Sequence, residues 1–146
     1  MVFSRWMAGL IVALTLVEGG ACFAATSGEP GEAKAIERTI RAQIAAFSRD
    51  DAPAAFAFAT PAIQKTFGGD SDRFLRAVRE SYPAVYRPTS LFFLPPKKGR
   101  ESWVQVVNIA DSDGKLWLAY YDMRRQADKT WKINGCELVE TDTVAT

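Results

Sequence analysis

The chain contains no histidine among its 146 residues and only two cysteines, Cys22 and Cys136. A Ser-His-Asp or Cys-His arrangement therefore cannot be assembled. Zinc sites of the usual His and Cys type are excluded by the same counts, and neither a metal nor a cofactor is expected. An excess of one charge is also missing, since 18 Lys and Arg stand against 17 Asp and Glu. A net charge of +1 gives no electrostatic case for a nucleic-acid partner or an anionic membrane. No apolar run reaches the about 20 residues that a membrane-spanning helix needs. What is present is ordinary globular material. Aromatic residues reach 12%, with four Trp, enough bulk to build a core or line a pocket.

The N-terminus is expected to be an export signal. Arg5 supplies a positive start, and Met7 to Val17 (MAGLIVALTLV) is an apolar stretch too short to cross a bilayer. Cys22-Phe23-Ala24 offers small residues where a signal peptidase reads, so cleavage is expected after Ala24. Residues 1–24 are then a signal peptide, 25–31 a linker and 32–146 one domain, periplasmic or secreted, with no transmembrane segment after cleavage. A lipid anchor on Cys22 is the minor alternative, because Gly19-Gly20-Ala21 precedes it without the expected Leu. Cleavage after Ala24 leaves Cys136 alone, so no disulfide forms within the domain.

From Glu32 the pattern is helical. Ile36, Ile40, Ile44 and Phe47 draw one apolar stripe. Ser48 to Asp51 ends this helix and caps a short one containing AAFAFA (54–59). Thr60-Pro61 reads as an N-cap followed by proline at the first helical position. Gly68-Gly69 stops that turn, and Ser71 is expected to cap a helix carrying Phe74, Val78 and Tyr82, closed by Pro83. Strands are then expected at Ser90 to Leu94, Ser102 to Ala110, Lys115 to Arg124 and Trp131 to Glu140, with Lys97 to Arg100 as a basic loop. Helices followed by consecutive antiparallel strands make an α+β fold.

The residues Ile44 to Phe58, Thr60 to Phe67, Tyr120 to Met123 (YYDM) and Trp131 to Cys136 (WKINGC) resemble an uncharacterised bacterial family, domain-of-unknown-function family 4864. More widely, the pattern resembles the nuclear-transport-factor-2-like (cystatin-like fold) superfamily. That resemblance implies N-terminal helices packed on a curved antiparallel sheet, cone-like with a central pocket. The superfamily includes isomerases, dehydratases and non-catalytic binding modules. Its best-known catalytic members use a histidine or paired acids in the pocket, and this chain has no histidine.

Strand alternation sorts the sheet into faces, given a register. Pairing Ala110 with Lys115 and Arg125 with Trp131 places Gln105, Tyr120, Asp122, Asn134 and Cys136 on one face, among Val107, Leu118 and Leu138. Val104, Val106, Trp117, Tyr121, Met123, Ile133 and Val139 fall on the other. A one-residue slip exchanges faces. The first face is a candidate pocket, but it reads more readily as an ordinary solvated surface with Asp122 paired to Lys132 or Arg124. Cys136 reads as core packing rather than a reactive thiol. Asp111-Ser112-Asp113-Gly114 resembles the start of a calcium loop but lacks its later ligands, so a hairpin turn is the better account.

Three functional classes remain open. The first is an exported non-catalytic module that binds a small apolar ligand. The second is a hydrolase or isomerase with Asp122 or Glu137 as general base and Tyr120 as donor. The third is a subunit whose sheet face docks a partner or a second copy as a homodimer.

Overall fold

The computed structural model describes residues 30–141. The expected signal peptide, with Cys22, lies outside the described residues. Five helices come first: α1 (Pro30–Ser48), α2 (Ala52–Ala57), α3 (Pro61–Thr66), α4 (Ser71–Ser81) and α5 (Pro83–Tyr86). Five strands follow: β1 (Ser90–Phe93), β2 (Lys97–Lys98), β3 (Trp103–Ala110), β4 (Leu116–Arg125) and β5 (Trp131–Glu140). The α+β class and its helices-first order are as expected.

The helical stripe of α1 is the spine of the core: Ile36, Ile40, Ile44 and Phe47 are all buried. Capping sets the short helices. The Asp51 carboxylate accepts from Ala54 N, and Thr60 Oγ1 from Ile63 N. For α4 the cap is Asp70 rather than Ser71, its carboxylate accepting from Asp72 N and Arg73 N at 3.0 Å. A carboxylate there satisfies two free N–H groups and complements the helix dipole. Pro83 does not simply close α4. It starts α5, because proline suits a first helical turn, and α5 buries Ala84 and Val85.

The sheet corrects the cone-like expectation. Its strand order is β1-β3-β4-β5, with β2 also on β3, and all its strand pairs are antiparallel. β1 and β5 are opposite ends of this order, so the sheet is open and neither curls nor closes around a central pocket. Each end is finished separately. β1 and β2 lie along the same edge of β3, interrupted at Pro95-Pro96, and Lys97-Lys98 is thus strand rather than loop. Proline, which cannot donate to a ladder, fits such an edge. On the far side, β5 is met by the chain between α2 and α3. Ile133 N donates to Phe58 O at 2.8 Å and Thr60 N to Ile133 O at 2.9 Å.

The helices cover one face of the sheet. Gln105, Val107, Ile109, Ala119, Tyr121, Met123, Trp131 and Ile133 are buried there. Glu32 ties the start of α1 to this layer: its carboxylate accepts from Trp131 Nε1 at 2.8 Å and meets Arg125 at 3.0 Å. No helix among the described residues is long and apolar enough to cross a membrane.

Candidate functional site

The register differs from the expected one, and with it the site. Ala110 pairs with Leu116, not Lys115, so Gln105 stands opposite Tyr121 and Trp103 opposite Met123. The cause is the turn. Asp111 Oδ1 accepts from Asp113 N and Lys115 N, both at 2.9 Å, and Oδ2 accepts from Trp117 Nε1 at 2.9 Å. Asp111 N also donates to Lys115 O, and Gly114 takes the left-handed conformation, φ 83°. These contacts make the connection one residue longer than assumed, and a one-residue slip turns each side chain of β3 to the other face relative to β4. The indole and amide bonds hold the Asp111 carboxyl below its usual range. No group of three metal-ligating side chains occurs among the described residues.

The second hairpin begins as expected, with Arg125 opposite Trp131 and Met123 opposite Ile133. A β-bulge between Asp122 and Met123 then shifts the ladder, pairing Asp122 with Gly135 and Tyr121 with Cys136. Asn134 is the extra residue. A bulge of this kind bends a strand and re-aims the side chains beside it.

The five candidate residues therefore divide. Gln105 is buried on the helix-covered face, where its carboxamide donates to Leu94 O and Val106 O. Cys136, opposite Tyr121, belongs to the same face. Tyr120 and Asp122 belong to the other, and Tyr120 is exposed. Val104, Val106 and Val139 also lie on that outer face, contrary to the expected sorting. Asn134 sits at the bulge and joins two elements. It donates from Nδ2 to Asp122 Oδ2 at 2.9 Å and accepts at Oδ1 from Thr60 Oγ1 at 2.9 Å. Arg124 approaches the other Asp122 oxygen at 3.6 Å. Asp122 is thus held in a structural network, and the exposed Glu137 pairs with Tyr120 in the ladder.

The helix-covered face holds a different site. A cavity of about 140 Å³ lies between the helices and the sheet. Phe47 of α1, Ile63 of α3, Phe67, Phe74 and Val78 of α4, and Tyr82 form its helical side; Tyr121, Ile133 and Cys136 form its sheet side. None of its lining residues is charged, and neither Asp122 nor Glu137 is among them. The ring of Phe74 meets Phe47, Phe56 and Phe67 at centroid distances of 5.9, 5.2 and 5.3 Å, the tilted and edge-on packing that aromatic quadrupoles favour.

Among the polar groups of this mostly apolar wall, the Gln43 carboxamide donates to Ala55 O at 3.2 Å, and Tyr121 and Cys136 stand together on the sheet side. The Tyr121 hydroxyl is buried and has no hydrogen-bond partner beyond the weak thiol of the adjacent Cys136. Burial holds its proton well above the ordinary tyrosine range, and the adjacent Cys136 adds to the shift. Burial also pushes the Cys136 thiol up to about 12, so the sulfur is protonated at neutral pH. A buried hydroxyl without a full partner costs up to about 1–3 kcal/mol, and such a group needs an explanation in a well-packed domain. The expected sorting rightly groups Tyr121 with Met123 and Ile133 but puts Cys136 on the opposite face, so the pair that stands in the cavity wall is not visible from the sequence. The apolar spacing of Phe67, Phe74 and Val78 was visible, but not that their helices leave space above the sheet.

The fold and site thus define a small α+β domain with one open antiparallel sheet, helices on one face and an uncharged cavity beneath them. The chain belongs to the family described as Domain of unknown function (DUF4864), whose model matches residues 30–146. Searches of curated proteins and of solved structures found no match to the chain.

Proposed function

We propose that this is an exported, non-catalytic binding module whose ligand, a small apolar molecule, occupies the cavity between the helices and the sheet. The observation that carries the reading is the cavity itself: about 140 Å³, walled mostly by aromatic and aliphatic side chains, with few polar groups and no charged one. Concave apolar sites with few polar groups are the usual form of small-molecule sites. A periplasmic or secreted location is part of the proposal, supported by the n-region, apolar stretch and small residues of the first 24 positions. The wider nuclear-transport-factor-2-like relationship is also kept as a proposal, supported by the order of helices and strands.

Native mass spectrometry of the protein purified from the periplasm tests location and ligand together. The expected product begins after Ala24 and carries a small molecule that is lost on denaturation. A product retaining Met1 would remove the export reading, and failure to bind any apolar compound in a solution screen would remove the cavity reading.

A second reading has its own observation. On the outer face Phe92 is 64% exposed and Val139 42% exposed, with Tyr120 and Val104 beside them. Large exposed apolar side chains on one sheet face suit a partner or a homodimer. A concentration-dependent shift in sedimentation, abolished by Phe92→Asp, would favour it.

A further inference from the structure

We infer that the cavity takes a small, neutral aromatic molecule with one hydrogen-bonding group, phenol being the simplest representative. The inference rests on the cavity reading above and adds the chemistry of the ligand. Size is the first ground. An apolar cavity of about 150 Å³ holds one benzene-sized molecule, and this one is about 140 Å³. The walls are the second. Phe47, Phe67 and Phe74 already pack as tilted and edge-on neighbours, and a flat ring extends that cluster without disturbing it.

Charge is the third ground. No lining residue is ionised at neutral pH, since Tyr121 and Cys136 both keep their protons. A carboxylate or ammonium would enter without a counter-charge, at a heavy desolvation cost. The fourth is the hydroxyl of Tyr121, buried with only the weak Cys136 thiol as a partner, in a wall whose other buried polar side chain, Gln43, already donates to Ala55 O. One hydroxyl on the guest supplies a full partner. Cys136 lies beside it, and its thiol is a weaker partner than a hydroxyl on the guest.

Calorimetric titration of the full chain with phenol, toluene and benzoate in turn, repeated on Tyr121→Phe, tests the inference. Phenol and toluene are expected to bind, and benzoate not. Tyr121→Phe is expected to weaken phenol about tenfold, the value of one hydrogen bond, while leaving toluene unchanged. Unchanged toluene binding also confirms that the variant is folded. If neither phenol nor toluene binds the wild type, the cavity reading itself fails. If toluene binds but benzoate matches phenol, or Tyr121→Phe leaves phenol affinity intact, the cavity reading stands and the assigned ligand class is overturned.

Discussion

The Asn134 carboxamide bridges Thr60 and Asp122, accepting from the hydroxyl and donating to the carboxylate at 2.9 Å each. One side chain at a β-bulge thus fixes the α2–α3 connection to β5 and holds Asp122 in place. Asn134→Ala removes both bonds and leaves the buried Thr60 hydroxyl without its acceptor. A loss of about 1–2 kcal/mol is expected in urea denaturation.

Tyr121→Phe is expected to behave in the opposite sense. The hydroxyl it removes has only the weak Cys136 thiol as a partner, so the desolvation penalty that disappears outweighs the bond lost. Stability should hold or rise by up to about 1 kcal/mol. A loss larger than that would mean that the hydroxyl has a stronger partner in solution.

Ile40 is fully buried at the centre of the α1 stripe. Ile40→Ala should cost about 2–5 kcal/mol, the transfer and cavity terms together. The same denaturation curves provide the check.

Cys136 should resist thiol reagents at pH 8 in the native state and react once the chain is unfolded in denaturant. Its thiol is pushed from an ordinary value of 9.0 up to about 12. The sign of the linked effect follows. Above pH 9 the unfolded chain releases this proton and the folded one does not, so stability falls from pH 9 towards pH 12. Cys136→Ala should remove that part of the alkaline loss.

Asp50 and Asp111 both titrate below the ordinary 3.8, Asp50 chiefly through its hydrogen bond from Tyr86 and Asp111 through Trp117. A lowered folded-state value favours the folded chain above about pH 4 and is lost as pH falls through the lowered values. Asp111→Ala should therefore flatten the acid limb of the stability curve, and Asp113→Ala, which removes no such acceptor, should not.

Local chemistry was legible in the sequence wherever a few neighbouring residues decide the outcome. Helix spacing gave the core stripe of α1, the Thr60-Pro61 pair gave the start of α3, and Trp131 to Glu140 bounded β5 at both ends. The family resemblance carried by IAAFSRDDAPAAFAF and WKINGC was equally a property of the chain, and the family match bears it out.

Which residues share a face was decided only by tertiary structure. The bonds to the Asp111 carboxylate reset one hairpin by a residue, and the bulge at Asn134 reset the other partway along. Side chains alternate with a period of two, so each reset exchanges the buried and exposed sets. Tyr120 and Asp122 went outward, and Tyr121 went inward to meet Cys136. The openness of the sheet was likewise beyond local reading. It lies in the strand order, with β1 and β2 at one edge and β5, met by the Phe58 to Thr60 backbone, at the other. Composition and spacing determined that this chain folds as helices on an antiparallel sheet, whereas its cavity exists because two register shifts and the packing of five helices brought distant residues to the same place.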